Sequence, residues 1–477
     1  MSDGRISRRS LLSQTLVGSA ALATVAGCAD GSDGPDKNQA ETDTGKGGQV
    51  PEPIAMIRTS WSIDPFALGS YSYMAVGATP EMRAVLAAPL SDSTSANRVF
   101  FAGEATAADN PATVHGAQES GRRVAAEVQS AAGAGERIVV IGAGAAGITA
   151  GRLLTDDGFE VLVVEARDRM GGRLHTVTAG DDILLELGAS WVHDLSASDL
   201  AEQLAEIGVA VAAFDYDSQV VLGTDGVRMQ DADSFIDPAT QALAGAIEWA
   251  EEQDVDLSVA EALSSSGAAE GVDSSALVYL DDSEIATEYG ASASELSAWW
   301  GFEEGSEGDD VIVLGGYDAL VRTTADGLTV ELQRPVARIE WGATGVLVVD
   351  ASGNEVAADR VVITVPLGVL KSGSIEFEPP LSDEKLEVIE SIGFGVLDKV
   401  WFIFDEVFWT ERSLMWNIVA EEGTPYCEWF NLQPVTGKPV LLSLVGGTVA
   451  HQWSQRSDAE VKAAALTQLQ QFIDAGW

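Results

Sequence analysis

Two runs with almost no polar interruption, RIVVI at residues 137–141 and EVLVV at 160–164, stand out along this chain. Strands that are apolar at every position are covered on both faces, as in a parallel sheet flanked by helices. Between them GAGAAG (142–147) opens a helix predicted over 145–154, which Asp156, Asp157 and Gly158 bring to an end. Strand, turn, helix and strand in that order predict a βαβ unit. Further buried strands are expected at 99–101 and 361–365, and apolar positions at helical spacing predict helices over 194–207, 295–300 and 461–473. Residues 29–50 are polar, rich in Gly and Asp and without any apolar period, so they read as a flexible tether.

At 477 residues, 46% of them hydrophobic, the chain supports two interleaved domains better than one simple core. Its 74 acidic and 27 basic residues give a formal charge of −47, which excludes nucleic acid as a partner. That field either solvates an extracytoplasmic surface or draws in cationic substrates. The cysteines, Cys28 and Cys427, have no paired spacing, so no metal is expected. Residues 1–28 read as an address: Arg8 and Arg9 in SRRSLL precede a short apolar stretch over 11–26, a twin-arginine export pattern, and VAGC ending at Cys28 resembles a bacterial lipobox. Lipid on Cys28 would anchor the protein to the outer face of the cytoplasmic membrane, its one expected membrane contact; a leader neither cleaved nor lipidated is the alternative. Nothing in the sequence sets an oligomeric state.

In GAGAAG, Gly142 permits the tight turn, Gly144 and Ala146 bring backbone close to a pyrophosphate, and Gly147 lets the helix pack on the strand. Glu165, at the end of the second strand, is placed to accept bonds from ribose hydroxyls. The turn alone leaves NAD and FAD both open. The continuation, Glu165-Ala166-Arg167 through Gly171-Gly172-Arg173, resembles the EARxRxGGR signature of the flavin-containing monoamine and polyamine oxidase family. The resemblance implies a Rossmann-like FAD-binding domain of the glutathione-reductase type, an α/β fold interleaved with an α+β substrate domain. Residues 95–200 and 311–372 would form the first and 51–94, 201–310 and 373–477 the second.

Taken against that family, the segments stand in a rotated order. WSIDP (61–65), GSYS (69–72), FAGEAT (101–106) and PATVHGAQESGR (111–122) resemble the family's closing block but precede the glycine turn here. A circular permutation is expected, with 129–136 bridging the old join and Trp477 continuing naturally into Pro51. A sequence assembled out of order is the alternative.

The resemblance also assigns roles. Arg167, Gly172 and Arg173 would serve the diphosphate, and Gly103 and Glu104 the ribityl and diphosphate. Thr113, Val114 and Ala117 would open a helix toward the flavin pyrimidine oxygen, Gly188-Ala189-Ser190-Trp191 would line the isoalloxazine, and Gly315-Gly316-Tyr317 with Val336 would cradle adenine. Lys371, in VPLGVLK ahead of FEPPL and GFGVLDKV, resembles the lysine that holds a water against flavin N5. His193 would stand at the pocket wall. Where many relatives place an aromatic wall just before PATVHG this chain has Asn110, which weakens any inference about the substrate. No cysteine lies in the 101–122 block, so FAD should be held noncovalently, and no long insertion resembles the coiled-coil arm of the histone demethylase branch. The implied reaction takes a small amine to an imine by hydride transfer to N5, with dioxygen returning the flavin and leaving hydrogen peroxide. An L-amino-acid oxidase, with Arg322 or Arg338 as candidate carboxylate partners, and a surface binding protein without turnover are the competing readings.

Overall fold

The strand Arg137–Ile141, apolar at its last four positions, lies at the middle of a six-stranded sheet in a computed structural model that describes residues 48–180, 182–193, 195, 198–302 and 309–477. The leader, residues 29–47 of the tether and Asp194 lie outside the described residues. The sheet runs Thr329–Glu331, Glu160–Val164, Arg137–Ile141, Arg360–Ile363, Asn97–Phe101 and Leu90–Ser91, parallel throughout except for the last pair. Alternate residues of these strands serve two cores. Phe100, Ile138, Val140, Val163 and Val362 meet the helices Val114–Ala131 and Ala145–Asp156 on one face. Val99, Phe101, Val139, Ile141, Leu162, Val164, Val361 and Ile363 pack on the other, against the sheet Glu355–Ala358, Gly345–Asp350, Val336–Gly342 and Glu376–Glu378. Burial on both faces is what the unbroken apolar runs require.

A second six-stranded sheet, Ala55–Arg58, Leu397–Ile403, Val440–Gly446, Glu428–Asn431, Met415–Ile418 and Gln219–Leu222, is antiparallel except at its last pair. One face carries Val400, Phe402, Trp416 and Trp429 against the helix Asp458–Asp474, whose start is fixed by a reciprocal Ser457–Glu460 capping box. The other carries Trp401, Ile403, Phe430 and Leu442 toward Phe214 and Trp191. The 19-residue helix Asp233–Glu251 and the short helices Val259–Ser266, Ser274–Tyr279 and Ala286–Tyr289 close one side, with a π-helical turn at Leu280–Ile285.

Three expectations change. Residues 295–300 form no helix: the Ser297 hydroxyl accepts from the amides of Trp299 and Trp300, 3.2 and 2.9 Å away, and turns the chain locally. The helix expected over 194–207 is Leu200–Glu206, and its Leu200 and Leu204 pack in the core of the parallel sheet, not in a substrate domain. Leu90–Ser91, placed in the substrate domain by the sequence reading, is the edge strand of that same sheet.

Candidate active site

The two sheets wall a cavity of about 600 Å3. At the parallel sheet, Gly142 has φ +107°, a conformation closed to residues with a side chain, and its amide donates to Val164 O at 2.8 Å. A Cβ on Gly147 would come within 2.0 Å of Gly142 O, so only glycine lets the helix Ala145–Asp156 start this close to the strand. That helix has Gly144 as its N-cap and no side-chain cap, which leaves its first amides directed at the cavity that Gly144, Ala145 and Ala146 line. A Cβ on Gly144 would meet nothing nearer than Gly171 O at 3.7 Å, so the space before the turn is open. Glu165 is buried and lines the cavity; its carboxylate accepts from Ala143 N at 2.8 Å and Arg167 N at 2.9 Å.

The block from 51 to 128 builds the next wall. Thr113 caps the 18-residue helix Val114–Ala131 by accepting from Gly116 N at 3.0 Å, and Thr113, Val114 and Ala117 line the cavity. Glu104 accepts from Ser72 Oγ at 2.7 Å, Ala112 N at 3.1 Å and Arg173 at 2.8 Å. Burial pushes its carboxyl up, but Arg173 and Ser72 outweigh that and hold it below the usual range.

The far wall carries a buried lysine that the sequence reading passed over. In the strand Leu397–Ile403 alternate residues face opposite ways. Leu397 and Lys399 line the cavity, while Asp398 turns to Thr59 Oγ1 and the Trp61 amide, 2.8 and 2.9 Å away. Lys399 is 4% exposed and donates to Gly188 O and Ser190 Oγ, with its Nζ 5.4 Å from the centre of the Trp191 ring. Burial drives its pKa down to about 7, against an opposing pull from Glu186. Beside it, His193 Nδ1 lies 2.8 Å from Asp310 Oδ2, which also accepts from Tyr216 OH at 3.0 Å.

With that geometry in place, a family model described as flavin containing amine oxidoreductase matches residues 42–129 and 145–476. The chain belongs to this family. Its cofactor is FAD, and the open helix start and the close-packed glycine turn fit a dinucleotide diphosphate. Among curated relatives, polyamine oxidase 2 of Arabidopsis thaliana is 33% identical over 367 residues, which cover 70% of this chain and 72% of the relative. Lysine-specific histone demethylase 1 homolog 1 of the same plant is 32% identical over 345 residues, 68% of this chain and 40% of the relative. An engineered putrescine oxidase shares the fold, with a TM-score of 0.57 and 22% identity over 72% of this chain and 82% of that one.

In this amine oxidoreductase the cavity gathers most residues the sequence singled out: Gly103, Glu104, Asn110, Thr113, Val114, Ala117, Gly142, Gly144, Ala146, Glu165, Ala166, Arg167, Gly172, Arg173, Gly188, Ala189, Ser190, Trp191, His193 and Val336. Gly147 packs just behind them. Lys371 is the exception. It ends the short helix Leu367–Lys371 and donates to Glu390 O at 2.7 Å, away from the cavity that Val369 lines. Residues two apart on a helix point roughly 200° apart, so one of this pair must face away. The signal that marks Lys399 was available: a charged pair, Asp398 and Lys399, inside a strand otherwise apolar enough to be fully buried.

Other roles are refined. The Arg167 guanidinium binds both oxygens of Asp64, at 2.7 and 2.9 Å, and Arg173 binds Glu104 and Ser70 O, so both tie the 51–128 block to the glycine turn instead of standing free for an anion. The amides of Gly316 and Tyr317 go to Glu186 Oε1, at 2.9 and 3.0 Å, which places that turn behind Lys399, while Tyr317 and Val336 both line the cavity. Asn110 takes φ +49°, a left-handed conformation Asn tolerates, and its carbonyl accepts from Thr113 Oγ1 at 2.7 Å; it is a helix-entry turn and no aromatic wall. Aromatic walls come from Tyr71, Tyr73, Trp191 and Tyr289. Asp64, Glu288, Tyr289 and Asp310 were given no role from sequence; they come from three segments that only the fold brings together.

Proposed function

We propose that this chain oxidises a small primary or secondary amine to an imine, with Lys399 as the lysine of the reaction and dioxygen as the electron acceptor, leaving hydrogen peroxide. The observation that carries this reading is a buried lysine on the wall of the same cavity that the glycine turn and two helix starts enter. FAD, held noncovalently, supplies the redox step by accepting hydride from the carbon bearing the amine. The chain supplies position and proton control. A neutral Lys399 has two N–H bonds, directed at Gly188 O and Ser190 Oγ, which leaves its lone pair for a water or for a proton brought in by the substrate ammonium. His193, oriented through Nδ1 by Asp310, stands at the wall. Tyr71, Tyr289 and Trp191 exclude water around the substrate.

A diamine or polyamine is the substrate class we favour. Glu288 lines the cavity, the chain carries a charge of −47, and polyamine oxidases stand among its relatives. Anaerobic mixing of the yellow protein with a panel of monoamines, diamines and amino acids tests this: bleaching by amines and peroxide on admitting air are expected. Bleaching by amino acids alone would replace the reading with an amino-acid oxidase.

We also propose that the rotated segment order is a genuine circular permutation. The family match falls in two stretches parted near residue 137, and five residues suffice to link the helix Val114–Ala131 to the strand Arg137–Ile141. At the other end Val50 N donates to Gln470 Oε1 at 2.8 Å, and Val50 packs in the same core as Trp477. Export by the twin-arginine route with lipid on Cys28 completes the reading, supported by a family match that begins only at residue 42. Cys28→Ser should move the protein from the membrane to the soluble fraction.

A further inference from the structure

Behind the substrate cavity lies a second, smaller one of about 30 Å3, and Thr287 lines both. The Thr287 carbonyl in this shared wall accepts from Tyr71 OH at 3.2 Å. A volume of that size holds one or two water-sized groups and nothing larger. Asp282 of the π-helical turn, Tyr279, Tyr426, Cys427 and Glu428 line it.

Glu428 is the anomaly. It is 6% exposed, it faces this cavity, and its carboxylate has no hydrogen bond or ion pair among the described residues. The Cys427 thiol donates elsewhere, to Thr424 O at 3.3 Å. Burial pushes the Glu428 carboxyl well above the usual range, and the charges that bear on it, those of Glu284 and Glu288, push it the same way. The nearest cation along the sheet is engaged elsewhere. Glu428 pairs with Leu444 and Leu444 pairs with Lys399, so the two side chains leave one face of the sheet from backbones two strands, about 10 Å, apart, and the Lys399 ammonium donates to Gly188 O and Ser190 Oγ. A buried carboxyl beside other acids is held toward its protonated form, and only a cation beside it would let it stand as a carboxylate without a large cost.

We propose that the small cavity binds an ammonium group, held by Glu428 and Asp282. Its size excludes a substituted quaternary ion, and the hydroxyls of Tyr279 and Tyr426 add oxygen to a wall already rich in carboxylate. The group could come from either of two sources: free ammonium, or the far end of a long diamine reaching past Thr287.

Melting of the full-length, FAD-loaded protein tests the site without turnover. At matched ionic strength, ammonium chloride should raise the melting temperature by roughly a few degrees over potassium chloride and tetramethylammonium chloride, as a ligand that binds only the folded state does. Glu428→Gln should abolish that difference, and Asp282→Asn should reduce it, which keeps the test alive if the first variant fails to fold. An ammonium response no larger than that to potassium, or one that survives both substitutions, overturns the proposal and leaves the flavin reading untouched. A second arm, which does rest on that reading, identifies the source. If the diamine end occupies the cavity, Glu428→Gln raises KM about tenfold for a long diamine and leaves it unchanged for the monoamine of equal carbon count. If free ammonium occupies it, both KM values stay fixed while the melting response is lost.

Discussion

The two walls of the large cavity are built by opposite means. At the parallel sheet, the turn, the helix start and Glu165 all come from one stretch of 29 residues, 137–165, and the backbone does most of the work. At the antiparallel sheet, Lys399, Ser190, Trp191, His193 and Asp310 come from three segments far apart in the chain, and side chains do the work. The first wall depends on glycine and local geometry, so it should respond to added bulk. The second depends on one buried charge, so it should respond to its removal.

The sharpest break between them is expected from Gly144→Val. Its side chain would project into open space before the turn, so the chain should fold yet bind no flavin; absorbance near the flavin bands in a protein of unchanged melting temperature checks both halves. Gly147→Ala makes the contrast within the same turn. A Cβ 2.0 Å from Gly142 O has to move backbone, and a loss of about 1–3 kcal/mol in stability is expected from such overpacking.

Next in size comes the choice between two lysines. Lys399→Met should keep the yellow cofactor and slow anaerobic flavin reduction by about 100-fold or more, the scale of a lost proton-handling group. Lys371→Met, at a half-buried helix end bonded to Glu390 O, should leave that rate unchanged. The reverse outcome would return the role to Lys371. The pH dependence adds a smaller effect with a definite sign. With its pKa lowered to about 7, Lys399 loses its proton as pH rises through neutrality, so the reduction rate of the wild type should climb from pH 6 to 8. Stability follows the same proton. Between about 7 and the ordinary lysine value of 10.5 the unfolded chain holds a proton that the folded chain has released, so raising the pH in that window stabilises the fold. The wild type should therefore gain stability relative to Lys399→Met from pH 7 upward.

What the sequence discloses follows the same division. The βαβ unit, its helix and Glu165 are legible because each is a short-range pattern whose chemistry and geometry reside in the same residues. Lys399 was hidden by a more familiar-looking lysine: Lys371 closes an apolar run at a helix end that turns it away from the cavity, while Lys399 sits beside Asp398 inside a strand whose alternation turns it toward the cavity. Asp310 offers no local signal, and WSIDP marks a motif around Asp64 without giving its role, since each acquires its meaning from a partner more than 100 positions distant. The false helix at 295–300 fails for a different reason, because apolar spacing there competes with Ser297, whose hydroxyl takes two amides out of any helical ladder.

Lys385 shows why depressed basicity alone does not mark a reacting lysine. It too is buried, 3% exposed, and burial brings its pKa down to about 8. Its ammonium has three donors and three acceptors, the carbonyls of Val85, Leu86 and Ala88 at 2.9, 2.9 and 2.8 Å, and it sits 4.0 Å from the centre of the Phe101 ring. Every N–H is taken, so Lys385 can only hold the end of the helix Glu81–Ala87 against Asp383–Ser391. Lys399 has two acceptors and a cavity in front of it, so a position is left over for chemistry. Lys385→Met should accordingly cost about 1–3 kcal/mol by leaving buried carbonyls without donors, while flavin reduction by amines keeps its rate. A slower reduction in that variant would mean that the count of unused N–H positions does not separate the structural lysine from the working one.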